Sequence, residues 1–106
     1  MAGQTEFTKE VIKIVKKIPR GRVASYGQIA KMVGNPQASR GVVWILHSCS
    51  DAYRLPWHRV LNSKGMISFP EMTESYIKQR ALLEQEEIKF DSSGRVNLDV
   101  FRWKRM

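Results

Sequence analysis

Few side chains in this sequence could do chemistry, and the most suggestive group is Pro56-Trp57-His58-Arg59-Val60. Trp57 supplies an indole, a neutral N–H donor with a large flat apolar face and no strong nucleophile. Cys49 is the single thiol of the chain. A thiolate is a soft nucleophile suited to displacement at carbon, but a lone free cysteine is more often a small buried hydrophobe. One cysteine closes no internal disulfide, and with only two histidines it makes a poor structural zinc site. No metal and no cofactor are expected. Arg40, set between Ala38-Ser39 and Gly41, offers a planar guanidinium that can both stack and hydrogen-bond.

The charge distribution says what such groups would meet. The 106 residues carry a net charge of +8, and all of the excess lies in residues 1–65. Between Glu10 and Asp51 there is no acid, while Lys13, Lys16, Lys17, Arg20, Arg22, Lys31 and Arg40 are all basic. A one-sign field of this kind draws polyanions and speeds encounter with them, although a solvated basic face that aids solubility has the same composition. No stretch approaches the apolar length needed to span a membrane. The start, MAGQTEFTKE, lacks the charged and apolar blocks of a signal peptide. With the cysteine count, this gives the expectation of a single intracellular domain over residues 1–106, in a prokaryotic cytoplasm or a eukaryotic nucleus. It is expected to be monomeric, without a membrane partner.

The elements that must hold these residues follow from periodicity. Phe7, Val11, Ile14, Val15 and Ile18 fall on one face of a helix over 5–18, stopped by Pro19 and Gly21. Ser25-Tyr26-Gly27-Gln28 has the form of a capping box, which predicts a second helix from Tyr26 to about Val33. Gly34-Asn35-Pro36 makes a turn, and a third helix starts near Ala38 or Ser39 and runs to about His47. Two short helices joined by this turn, inside the basic region, suggest a helix-turn-helix. His58–Leu61 and Met66–Phe69 flank Asn62-Ser63-Lys64-Gly65 as a plausible hairpin or wing. A further helix is expected over 71–87 with Met72, Tyr76, Ile77 and Leu83 inward. Residues 88–90 and the alternating Val96, Leu98 and Val100 suggest a last short hairpin. The class is α+β, a winged helix-turn-helix.

Four segments, taken in order, carry a family resemblance. They are Ile18-Pro19-Arg20-Gly21-Arg22-Val23, Ser25-Tyr26-Gly27-Gln28-Ile29-Ala30, Gly34-Asn35-Pro36-Gln37-Ala38-Ser39-Arg40 and Pro56-Trp57-His58-Arg59-Val60. From about Phe7 to Glu86 the chain resembles the DNA-binding, active-site C-terminal domain of O6-alkylguanine-DNA alkyltransferases. In those enzymes the last motif carries a cysteine that accepts the alkyl group, and here Trp57 replaces it. The chain is therefore most similar to the alkyltransferase-like proteins, whose C-terminal extension the stretch from Val96 to Trp103 also resembles. The motif lacks the nucleophile that transfer requires.

The resemblance implies a function and a set of roles. The function is non-enzymatic recognition of O6-alkylguanine in double-stranded DNA by nucleotide flipping, with the DNA bent and the lesion flagged for nucleotide excision repair proteins. Arg40 would insert into the base stack, with Ala38, Ser39 and Gly41 small enough for close approach in the minor groove. Tyr26 would press on the phosphate of the flipped nucleotide. Trp57, Arg59, Val60 and Ser63 would line the lesion pocket. His58 and Glu86 match the residues that activate the enzymes' cysteine, and here they are expected to keep only a structural hydrogen bond. The chain departs from the enzymes at several points. Cys49 stands where an asparagine is frequent, Val43 and Trp44 stand where glycine is favoured, and Ser68-Phe69-Pro70 lacks the glycine-rich pocket loop.

Two other functions fit parts of the same sequence. An active alkyltransferase would have to use Cys49, eight residues before the motif position. A sequence-specific winged-helix regulator would use the basic helix-turn-helix and leave the Pro-Trp-His-Arg-Val motif unexplained.

Overall fold

In a computed structural model of the protein, residues 5–104 are described. Helix α1, Glu6–Lys16, is capped by Thr5, whose hydroxyl accepts from the Thr8 amide. Its inner face buries Val11, Ile14 and Val15, as the spacing predicts. Strand β1, Ala24–Ser25, leads directly into α2, Tyr26–Met32. Ser25 Oγ accepts from the Gln28 amide at 3.0 Å, the forward half of the capping box. The return half is absent: Gln28 Nε2 donates instead to the Trp103 carbonyl at 2.7 Å. The capping residue thus doubles as the anchor of the C-terminal tail.

Helix α3, Ser39–Tyr53, follows the turn at Gly34 and runs well beyond the expected end at His47. Nothing after His47 breaks it. The polar residues after His47 lie on its surface or bond to it, as Ser50 Oγ does by donating to the Leu46 carbonyl. The helix closes at Arg54, which takes a left-handed conformation (φ 54°).

A single 3-10 turn, Trp57–Arg59, then feeds β2, Val60–Leu61. Here the structure departs from the expected hairpin. β2 pairs in parallel with β1, Ala24 opposite Val60 and Ser25 opposite Leu61. The Asn62–Gly65 segment is a turn held by Asn62 Oδ1, which accepts from the Lys64 and Met66 amides. Met66 bridges to Arg95. Gly65 is required there: its φ is +79°, and a Cβ would lie 2.5 Å from the Val96 carbonyl oxygen.

Helix α4, Glu74–Gln85, is capped by Thr73. Leu83 is buried and Tyr76 packs against the second cluster, as expected, but Met72 and Ile77 are exposed and the buried position beside Leu83 is taken by Gln79. The last hairpin is reduced to one bridge, Phe90 opposite Val96. Asn97 then caps a short helix α5, Leu98–Phe101, which leaves Val100 exposed.

Two apolar clusters result. One joins α1, α2 and α3 around Val11, Ile29 and Val42. The other joins Val23, Leu61, Leu83, Ile88 and Val96. The β1–β2 pair runs between them, since its residues belong to both. The turn bearing Trp57 is thereby fixed beside the helix-turn-helix.

Candidate nucleic-acid interface

Tyr26 opens α2, Arg40 lies in the first turn of α3, and Trp57 opens the 3-10 turn. Tyr26 and Trp57 share a cleft of about 500 Å³. Its α3 wall carries Val43, Leu46, His47, Ser50 and Asp51, and its far wall Phe69, Lys78 and Gln79. Trp57 is half-buried, with Phe69 edge-on to its ring at a centroid distance of 6.4 Å. His47 lies against the same Phe69 ring at 6.3 Å. The cleft thus presents flat aromatic faces among hydroxyl, amide and amine groups and the Asp51 carboxylate, a setting suited to a planar heterocycle with polar edges.

Gln79 supports the turn from beneath. Its amide is buried, and Nε2 donates to the carbonyls of both His58 and Val60 at 3.1 Å. Sequence reading missed this residue because a glutamine on a helix reads as a surface position. Its place four residues before Leu83, on the same helix face, was the available signal.

Beneath the same turn lies a charged network. His58 Nε2 is 2.7 Å from Glu86 Oε2, so the expected hydrogen bond is present. Arg59 grips the same carboxylate with Nε and Nη2 at 2.9–3.1 Å and donates from Nη1 to the Ile18 carbonyl. The Gly21 amide donates to Glu86 Oε1 at 2.9 Å. Burial works against ionisation of Glu86. The hydrogen bonds from Arg59, Gly21 and His58 outweigh that penalty and hold its carboxyl at about 2, below the ordinary 4.5. One carboxylate therefore ties together the loop after α1, the Trp57 turn and the end of α4.

This network corrects the expected pocket. Arg59 does not line the cleft, because a carboxylate buried at Glu86 requires a cation and Arg59 supplies it. Val60 is buried in the first apolar cluster through its pairing with Ala24. Ser63 is exposed on the Asn62–Gly65 turn. Of the four residues expected in the pocket, the structure places Trp57 in the cleft and the other three outside it.

The helix-turn-helix residues sort differently. Arg40 is exposed, and Ala38 and Ser39 are half-buried beside it. No side chain caps α3, whose first turn also contains no acid. Such a helix start leaves amide N–H groups for an anion. Gly41 faces the other way: a Cβ there would meet Phe7 at 2.9 Å, so its small size serves the packing of α1 on α3. Cys49 is half-buried against the first apolar cluster and is not part of the cleft wall.

These features describe a basic helix-turn-helix with an aromatic cleft behind it, and the comparisons agree. Residues 6–88 match the model of the 6-O-methylguanine DNA methyltransferase, DNA binding domain, and the chain belongs to that family. It is 37% identical over 105 residues to the DNA base-flipping protein of Escherichia coli (strain K12), covering 97% of this chain and 78% of that protein. It is 38% identical over 103 residues to alkyltransferase-like protein 1 of Schizosaccharomyces pombe, covering 93% and 95%. The crystal structure of S. pombe Atl1 in complex with damaged DNA containing O6-carboxymethylguanine superposes with a TM-score of 0.83 at 34% identity. It covers 98% of this chain and all of that one. No helix among the described residues is long and apolar enough to cross a membrane.

Proposed function

We propose that this protein recognises O6-alkylguanine in duplex DNA by receiving the flipped nucleotide in the Trp57 cleft, without removing the alkyl group. The observation that carries the reading is Trp57 itself. It lies on the wall of a cleft large enough for a base; by the resemblance of its motif it takes the place of the enzymes' cysteine, and an indole has no electron pair suited to attack at carbon.

The damage lowers the cost of entry. Alkylation at O6 removes the N1 proton of guanine and weakens its pair with cytosine, so extrusion costs less than the few kcal/mol of a normal base. Arg40, exposed at the start of α3, fills the vacated stack. Tyr26, which lines the cleft and opens α2, meets the phosphate of the flipped nucleotide in this reading. His58 and Glu86 have no thiol to activate, and their bond serves to hold the turn. A wedge in the minor groove bends DNA. A monomer on bent DNA, handed to nucleotide excision repair proteins, completes the reading.

The absence of transfer has a direct test. After prolonged incubation with duplex containing O6-methylguanine, the intact mass of the protein is expected to be unchanged and the methyl group to remain on the DNA. A methyl adduct on Cys49 would contradict the proposal.

A further inference from the structure

Trp44 is 70% exposed on α3, an unusual position for the largest apolar side chain. Four residues after Arg40, it lies on the same helix face about 6 Å further along the axis. Val43 and His47, its neighbours on α3, belong to the cleft wall, so Trp44 flanks the cleft on its outer rim. From Ser39 to Ser50 the helix carries no acid, and the only formal charge in that stretch is Arg40. The patch around Trp44 is therefore apolar and cationic, and the first acid of the helix, Asp51, lies two turns further on at the cleft wall.

We propose that Trp44 is a second DNA contact, an indole that packs on the sugar–phosphate backbone one helical turn beyond Arg40. The inference rests on reading α3 as the helix that meets DNA. A duplex that delivers a nucleotide to the cleft past Arg40 also covers the next turn of α3, and Trp44 is what it meets there. The contact is neutral and lies outside the cleft. It adds affinity for damaged and undamaged duplex alike, and it releases no counterions.

That combination sets the test. Trp44→Ala is expected to bind both duplexes about tenfold more weakly, with an unchanged ratio between them and an unchanged slope of log affinity against log salt. Trp44→Phe recovers most of the loss. Because the side chain is exposed, the melting temperature stays that of the parent. In protein labelled with 5-fluorotryptophan, the Trp44 fluorine resonance, assigned by Trp44→Phe, shifts on adding undamaged duplex and loses its solvent isotope effect. Parent-like affinity in Trp44→Ala, a reduced salt slope, or a Trp44 resonance unmoved by saturating DNA overturns the inference. The last result would leave the patch for a protein partner. If the resonance moves while the parent shows no preference for damage, the lesion-recognition reading fails and the Trp44 contact stands.

Discussion

Glu86→Ala is expected to destabilise the protein by about 3–5 kcal/mol, the cost typical of removing one partner from a buried ion pair. The Glu86 side chain is 4% exposed and that of Arg59 is 17% exposed. Without the carboxylate, the Arg59 guanidinium keeps only the Ile18 carbonyl, and the His58 ring and Gly21 amide lose their acceptor. A loss of this size is a large share of the stability of a small domain. The pH dependence carries the same signature. The folded carboxyl titrates at about 2 and the free group at 4.5. Its contribution is therefore complete above about pH 4.5 and is lost as the pH falls towards 2. That contribution is on the order of 3 kcal/mol. Urea unfolding of the parent at pH 7 and pH 3 should show the loss, and Glu86→Gln, which cannot titrate, should show much less of it. Equal pH dependence in parent and Glu86→Gln would mean that another group controls acid stability.

Arg40→Ala is expected to abolish most of the preference for damaged DNA. If the guanidinium occupies the space the nucleotide vacates, its removal leaves an unstacked gap, and such gaps cost a few kcal/mol. Affinity for O6-methylguanine duplex should fall by about 30-fold or more. Affinity for undamaged duplex should fall only as far as one lost phosphate contact allows. Arg40→Lys separates shape from charge: it keeps the cation but loses the flat face, so it should keep the salt slope and lose the preference. Since Arg40 is exposed, stability should not change. An Arg40→Ala variant that retains the full preference would assign the wedge to another residue.

How much of this could be read from the sequence depended on the range of the interaction. Local signals held. Ser25 caps α2 through a hydroxyl that accepts from the amide three residues on, as the capping box predicts, and Val11, Ile14 and Val15 of the expected apolar face of α1 are buried, with Ile12 beside them. Long-range pairing was hidden. The alternation around Val60 reads equally well as a hairpin, and only the fold reveals β1 as its partner. α3 runs six residues past the expected end at His47, since the polar residues there lie on the surface of, or bond to, a helix that nothing interrupts.

The site divided in the same way. Tyr26 and Trp57, expected from the resemblance to act on one nucleotide, line one cleft. The motif resemblance suggests Arg59 for the pocket, whereas the structure engages it with a carboxylate 27 residues away in sequence, which no local pattern reveals. Gln79 escaped notice because burial, not residue type, gives it its function. Gly41 reads as clearance for DNA in the sequence, and in the fold a Cβ there would meet the Phe7 ring.

The central claim, that the Trp57 cleft receives alkylated guanine and leaves it intact, is tested most directly by paired equilibrium binding. Two duplexes of identical sequence, one with O6-methylguanine and one with guanine at a single position, are titrated at the same salt concentration. The account predicts at least about tenfold tighter binding of the methylated duplex, with the methyl group still on the DNA recovered afterwards. Equal affinity for the two duplexes would contradict it.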